Sequence, residues 1–326
     1  MIKQPDFRII DTNGVKLRVA IEGEGPLVVM VHGFPESWYS WRHQMAPLAA
    51  AGFTACAIDV RGYGGSDKPH PVEAYSMQAL TADVAGVIDA LSPGKPAVVM
   101  GHDWGAPIAW HTAVLHPSKV RAVAGLSVPY TGVPPASLNQ IIKVMFTDQG
   151  RFFYMDYFQE EGVAEAAFEA DVRGSLRKLY YAGCGESGLA WGGAEKKHGD
   201  DLLTGMVDPP VFPSWLTSQD IDYFVREFEG SGFRGPLNRY RNNDRDFEMM
   251  QKVADTKVHQ PSLFICGDRD LVLKMFGGDS AAAEARQRAN ATDVRGFHIL
   301  PGIGHWTQQE APDVTTGLII DWLATL

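Results

Sequence analysis

The segment with the clearest chemical potential is Gly101-His102-Asp103-Trp104-Gly105, which follows the apolar run Ala97–Met100 and leads into the helix-like stretch Ile108–Leu115. A sharp strand-to-helix turn with a small residue two before and two after its centre lifts the central side chain above a sheet. The glycines matter because so tight a turn leaves no room for Cβ. The central residue is Asp103, and no Gly-x-Ser-x-Gly occurs in the chain. A carboxylate, with a reference pKa of about 3.9, is ionised at neutral pH and attacks without the help of a base. Attack at a tetrahedral carbon leaves an alkyl ester that water can later cleave, whereas a serine would leave an ether that it could not. A lone Asp after a strand more often caps the helix. The paired glycines and the partners described next favour the nucleophile.

Val31-His32-Gly33-Phe34-Pro35 follows an earlier apolar run, and a His-Gly-x-Pro turn there can aim the backbone N–H of Phe34 at the site. Together with the N–H of Trp104 it would form an oxyanion hole for ester hydrolysis. A structural turn with a cis peptide at Pro35 is compatible with that role. His32 precedes the turn and is read as an orienting residue rather than a base. The base belongs on a late loop, and Leu300-Pro301-Gly302-Ile303-Gly304-His305-Trp306 supplies His305. His70, His198 and His259 lie in polar stretches that read as solvated. The acid that orients the base belongs in Gly267-Asp268-Arg269-Asp270. Asp270 lies beyond the turn and can reach back, whereas Asp268 reads as a turn residue bonding its own backbone. Ser127 and Pro129, after Val120–Val128, offer no carboxylate.

Alternating elements must position these residues. Phe7–Ile10 and Val15–Ile21 flank Asn13-Gly14, a hairpin signal, and Pro26–Val31 and Phe53–Ile58 read as buried strands. Helices are expected at Ser40–Ala51 and Gln78–Leu91, with strands at Ala97–Met100 and Val120–Val128. Residues 130–250 break the rhythm with helical pieces such as Val163–Arg173 and Asp220–Phe228. Alternation resumes with strands at Pro261–Cys266 and Arg295–Leu300 and helices at Ser280–Ala289 and Ala311–Leu323. The fold class is therefore α/β, a mostly parallel sheet with helices on both faces. Residues 1–129 and 251–326 form its two parts, and residues 130–250 an inserted helical cap.

The 326 residues carry 29 basic and 39 acidic side chains, a net charge of −10, which argues against nucleic acid or an anionic membrane surface as partner. No apolar run reaches the ~20 residues of a membrane span, and the N-terminus lacks an apolar signal region. The three cysteines are far apart, which fits a reducing compartment and points to the cytoplasm. The chemistry calls for no metal or cofactor.

The motif residues resemble the α/β-hydrolase-fold epoxide hydrolases of the bacterial soluble type. The resemblance rests on His32-Gly33-Phe34-Pro35-Glu36-Ser37-Trp38-Tyr39-Ser40-Trp41-Arg42, on Arg61-Gly62-Tyr63-Gly64-Gly65-Ser66, on Gly101–Gly105 and on Gly304-His305-Trp306. It is similar as well to the hydrolase half of the mammalian soluble enzyme. The resemblance implies that Asp103 attacks an epoxide carbon, His305 activates water on the ester and Asp270 orients His305. It also implies two cap tyrosines that hold the epoxide oxygen. Tyr154, four residues before Phe158-Gln159-Glu160, is selected over Tyr157, and Tyr240 is the tyrosine of Leu237-Asn238-Arg239-Tyr240-Arg241-Asn242. Ring opening makes an alkoxide, and phenols with reference pKa of about 10 can stabilise or protonate it. Arg239 stands where an aromatic residue is expected, a change at the cap surface. Phe34, Pro35 and Trp104 are expected beside the substrate, a small apolar epoxide, with water as co-substrate; a homodimer is compatible with this reading. The interval from Asp270 to His305 carries an apparent insertion around Gly277-Gly278. Tyr180, Tyr181, Trp191 and Trp215 fall in no recognisable specificity motif.

Two other readings compete. A haloalkane dehalogenase shares the Asp-His-Asp set, but a departing halide needs N–H donors and no proton, and position 34 is Phe rather than Asn. A fluoroacetate dehalogenase would want Arg after the nucleophile. A small-molecule receptor on the same fold would be expected to lack a catalytic member.

Overall fold

A computed structural model describes residues 5–187, 196–275 and 279–326. Eight strands form one sheet: β1 (Asp6–Thr12), β2 (Val15–Glu22), β3 (Leu27–Val31), β4 (Thr54–Ile58), β5 (Ala97–His102), β6 (Val120–Leu126), β7 (Ser262–Gly267) and β8 (Val294–Leu300). Their order is β1-β2-β4-β3-β5-β6-β7-β8. The β1–β2 and β2–β4 pairs are antiparallel and the remaining pairs parallel. Asn13 and Gly14 take φ of 47° and 75°, the left-handed pair that a two-residue hairpin requires.

The central strands are apolar throughout because both faces are covered. Val29, Val31 and Val99 point into a core shared with Leu80, Val84 and Ile88 of helix Met77–Leu91 and Ile108 and Trp110 of helix Gly105–Leu115. Val28, Met30, Val98 and Met100 point the other way, toward Met45 and Leu48 of helix Arg42–Ala50 and Ile319 and Trp322 of helix Pro312–Leu323. The period-two alternation thus feeds two cores from one sheet.

Several expected elements break where a side chain or peptide finds a better partner. The expected strand Val120–Val128 stops at Leu126, because Ser127 turns to φ 71°. The expected helix Val163–Arg173 is two helices, Val163–Glu169 and Val172–Gly183, and Asp171 caps the second through the Gly174 N–H. The last helix is preceded by a separate turn, Thr307–Glu310, and begins at Pro312.

Between β6 and β7 run the helices Leu138–Met145, Tyr154–Tyr157, Val163–Glu169, Val172–Gly183, Ser218–Ser231, Arg234–Tyr240 and Asn243–Gln251. Polar contacts fasten this segment to the sheet. Tyr180 donates its hydroxyl to the Pro35 carbonyl at 3.0 Å, and the Trp306 indole donates to the Tyr180 carbonyl at 2.8 Å. Arg18 bridges Asp59 and Glu227. Arg42 faces Asp220 at 3.1 Å as an ion pair rather than an aligned hydrogen bond, with both side chains nearly inaccessible. No helix among the described residues is long and apolar enough to cross a membrane.

Removing one partner of a buried ion pair strands the other charge. Arg42→Ala is therefore expected to cost about 3 kcal/mol in urea unfolding. A loss below about 1 kcal/mol would place the pair with weakly coupled surface bridges.

Candidate active site

Phe34, Asp103, Asp270 and His305 lie on the turns and loops that follow the C-terminal ends of β3, β5, β7 and β8, whereas Tyr154 and Tyr240 lie on helices between β6 and β7. Asp103 follows β5 with φ 51°, an unusual backbone for a side chain with Cβ. Both glycines of the turn are sterically required. A Cβ on Gly101 would lie 1.9 Å from the Gly105 carbonyl oxygen, and one on Gly105 would lie 2.0 Å from the Val31 carbonyl oxygen. The turn after β3 closes over the carboxylate. Phe34 donates its backbone N–H to Asp103 Oδ1 at 2.8 Å, and the Phe34–Pro35 peptide is cis. His32 is buried, accepts from the Val60 N–H at 3.1 Å and has its other nitrogen 2.9 Å from the Gly33 carbonyl, so both nitrogens serve the turn. Burial pulls its pKa down despite the nearby carboxylates.

His305 lies between two carboxylates. Its Nε2 is 3.4 Å from Asp103 Oδ2 and its Nδ1 is 3.1 Å from Asp270 Oδ1. Burial opposes charge on the ring, yet Asp270 and then Asp103 raise its pKa well above the ordinary value. Burial likewise opposes charge on Asp270, but His305, Ser127 and the Val272 N–H together hold its pKa below the usual one. Asp268, expected to bond its own turn, instead accepts from the Gly302 N–H of the His305 loop at 2.7 Å. The same loop is fixed by Glu310, which accepts from the N–H groups of Gly185, Gly304 and Trp306.

Tyr154 and Tyr240 are buried, with ring centroids 6.1 Å apart and planes nearly perpendicular. Burial, then the Asp103 charge, pushes both phenols well above their ordinary pKa, so both keep their protons at neutral pH. The Trp104 side chain hydrogen-bonds Tyr240 and partly offsets that rise. Tyr154 and Asp103 line a cavity of about 190 Å³ with Trp104, Pro107, Val128, Leu138, Met155, Val272 and Met275. Apart from Asp103, that lining carries no charge. Tyr157 lines a different cavity with Asp156, Glu160 and His198.

Arg239 corrects an expectation. It does not change the surface but is buried behind the site, paired with Asp246, with its guanidinium carbon 4.6 Å from the centroid of the Trp104 ring. An aromatic residue would have packed against Trp104; the cation does so through the indole face. Of the unassigned aromatics, Tyr180 is buried against Trp306, while Trp191, like Gly277 and Gly278, lies outside the described residues. Among the described residues no cluster of three His, Cys, Asp or Glu side chains is placed to hold a metal ion.

Sequence reasoning gave no role to the polar network behind Asp103. Glu36, fully buried, accepts from the Gly33 N–H at 2.7 Å and faces His102 Nδ1 at 2.8 Å. His102 Nε2 faces the His305 carbonyl at 2.7 Å. Both ring nitrogens thus meet oxygen atoms of the protein. Gln308 and Gln309 occupy the other oxygen of Glu36. One carboxylate thereby joins the turn after β3, the turn after β5 and the His305 loop. The visible signal was an acidic residue inside an otherwise apolar and aromatic motif. Burial would raise the pKa of Glu36, but His102 and the Gly33 N–H push it down to about 2.

A carboxylate with a depressed folded pKa adds stability above its unfolded pKa and loses it as the pH falls toward the folded one. Between pH ~5 and ~2 the wild-type chain should lose about 3 kcal/mol more stability than Glu36→Gln, measured by urea unfolding across that range. Parallel pH curves for the two proteins would show that Glu36 is not held ionised by the fold.

The described geometry has counterparts among known proteins. The alpha/beta hydrolase fold family matches residues 26–312. Epoxide hydrolase A of Mycobacterium tuberculosis is 38% identical over 99% of this chain and 98% of its own length. The bifunctional epoxide hydrolase 2 of Sus scrofa is 37% identical over 96% of this chain and 54% of its own. The solved structure of an epoxide hydrolase from an endophytic Streptomyces superposes with a TM-score of 0.91 at 42% identity, covering 99% of this chain and 96% of that one. With this identity sustained along almost its whole length, the chain belongs to the epoxide hydrolases of the α/β-hydrolase fold.

Proposed function

We propose that the protein converts a small apolar epoxide to a vicinal diol through a covalent ester on Asp103. The observation that carries this reading is the placement of His305, with one nitrogen toward Asp103 and the other toward Asp270. Asp103 attacks an epoxide carbon, the ring C–O bond breaks, and Tyr154 and Tyr240 donate protons or hydrogen bonds to the departing oxygen. Both phenols are protonated beforehand, as a donor to that oxygen must be. Esterification then neutralises Asp103 and removes one of the carboxylates that raise the pKa of His305. Once the ester has formed, the imidazolium can give up its proton, which replaces the one a tyrosine passed to the opened oxygen, and the neutral ring is left as the base. It takes a proton from water, the hydroxide attacks the ester carbonyl, and the N–H groups of Phe34 and Trp104 hold the oxyanion. Collapse releases the diol and restores the carboxylate.

The apolar cavity, lined by Trp104, fits an uncharged epoxide, and Phe34 and Pro35 are assigned beside the reacting atoms because the Phe34 N–H meets Asp103. The same reading treats residues 130–250 as a cap over a core made of residues 1–129 and 251–326. All three cysteines are free and buried, which fits a cytoplasmic setting.

Asp103→Ala should abolish diol formation from styrene oxide while leaving the fold intact by circular dichroism; full turnover would overturn the mechanism. In a single turnover in heavy-oxygen water, the new oxygen of the diol should come unlabelled from Asp103. A product carrying the solvent label would show direct attack by water. Halide release from haloalkanes without diol formation from epoxides would reverse the reaction assignment.

Tyr154→Phe and Tyr240→Phe remove a donor to the developing alkoxide. Each should slow ester formation by roughly 10- to 100-fold, in the range of general acid catalysis. Rapid-quench measurement of the ester decides this, and an unchanged rate in both variants would remove the tyrosines from the mechanism.

A further inference from the structure

We propose that Ser127 is a positioning residue of the hydrolytic half of the reaction, acting on His305 through Asp270. This rests on the reading that His305 activates water. Ser127 sits at the C-terminal end of β6, between the strands that carry Asp103 and Asp270, and is fully buried. Its φ of 71° is one of three left-handed values among the described non-glycine residues, and Asp103 is another. That backbone is held by the Ser127 N–H donating to the Ile265 carbonyl of β7 at 3.0 Å. The twist aims the side chain across the strand ends instead of along the sheet. Its Oγ stands 3.0 Å from His305 Nδ1, against 3.1 Å for Asp270 Oδ1.

The proton count at this junction fixes what each group does. Nδ1 carries one hydrogen, and the carboxylate accepts it. The hydroxyl can share that hydrogen as an acceptor only if its own proton goes elsewhere, and the group it bonds is Asp270. Asp270 has no access to water, so each of its lone pairs needs a protein donor. Val272 supplies its N–H to Oδ1 at 2.9 Å and Cys266 a weak thiol donor to Oδ2 at 3.5 Å. Ser127 is thus the hydroxyl donor to a buried carboxylate that must stay ionised and stay put. Without it Asp270 keeps one backbone amide, a thiol and the imidazole, and the ring loses an oxygen atom beside its Nδ1. Ester formation needs no proton transfer at His305, whereas ester hydrolysis does. The loss falls on the second step.

The test is Ser127→Gly in the full chain, because glycine suits φ 71° and removes the hydroxyl without backbone strain. Rapid-quench kinetics with styrene oxide separate ester formation from ester hydrolysis. The expected result is about tenfold slower hydrolysis, the scale of one hydrogen bond to a charged group, with ester formation changed less than about twofold. In an Asp270→Asn background the same change should cost less than about twofold, since the hydroxyl acts through that carboxylate. An unchanged hydrolysis rate, an equal slowing of both steps, or an undiminished tenfold loss in the Asp270→Asn background would each overturn the assignment. If the wild-type chain forms no ester, the reading of Asp103 and His305 fails instead, so the two failures are told apart.

Discussion

Where β3 and β5 end, backbone touches backbone, and everything at the site depends on that contact. The Gly105 backbone lies against the Val31 carbonyl and the Gly101 backbone against the Gly105 carbonyl, closer than any Cβ would permit. This crowding brings the Phe34 N–H within 2.8 Å of Asp103 and forces Asp103 into its left-handed twist. Interiors pack to the density of organic crystals, so such a junction cannot drift to relieve itself. The carboxylate is aimed by steric exclusion rather than by a flexible search for partners.

Loops hold the rest of the site, and carboxylates, two buried and one half-buried, hold the loops. Glu36 spans two turns and, through His102, the His305 backbone. Glu310 collects three amides from the His305 loop and its neighbour Gly185. Asp270 does the same for the imidazole itself. Each is an acid whose hydrogen bonds are satisfied within the protein, which is the condition for burying charge at tolerable cost. The site therefore has little freedom to relax when one member is changed, and neighbouring substitutions should interact rather than add.

Residues that act through covalent geometry were legible in the sequence. The two glycines around Asp103, the apolar runs of β3 and β5, and Asn13-Gly14 each have a local steric reason that a linear pattern exposes. The juxtaposition of Asp103, His305 and Asp270 was inferred from chain order and resemblance. What stayed hidden depends on non-local partners. Ser127 looked like the absence of a carboxylate, and only the pairing of β6 with β7 brings its hydroxyl to Asp270. Arg239 looked like a surface change because a charged residue is rarely buried, and its burial follows from Asp246, seven residues on, and from the indole of Trp104. The break at Asp171 carried a capping residue, but periodicity alone ran through it.

The cavity beside Asp103 is walled by Pro107, Val128, Leu138, Met155, Val272 and Met275. Such walls solvate an epoxide well, since its single ether oxygen can turn toward the tyrosines. A diol brings two hydroxyl groups, each with a hydrogen to donate, into a chamber whose aliphatic side offers nothing to receive them. A hydroxyl without a partner in apolar surroundings is penalised by roughly 1–3 kcal/mol, whereas water satisfies it fully. Under the proposed chemistry the wall that draws the substrate in is a poor host for what the substrate becomes. Partitioning alone then clears the site, and accumulated diol should compete weakly with fresh epoxide.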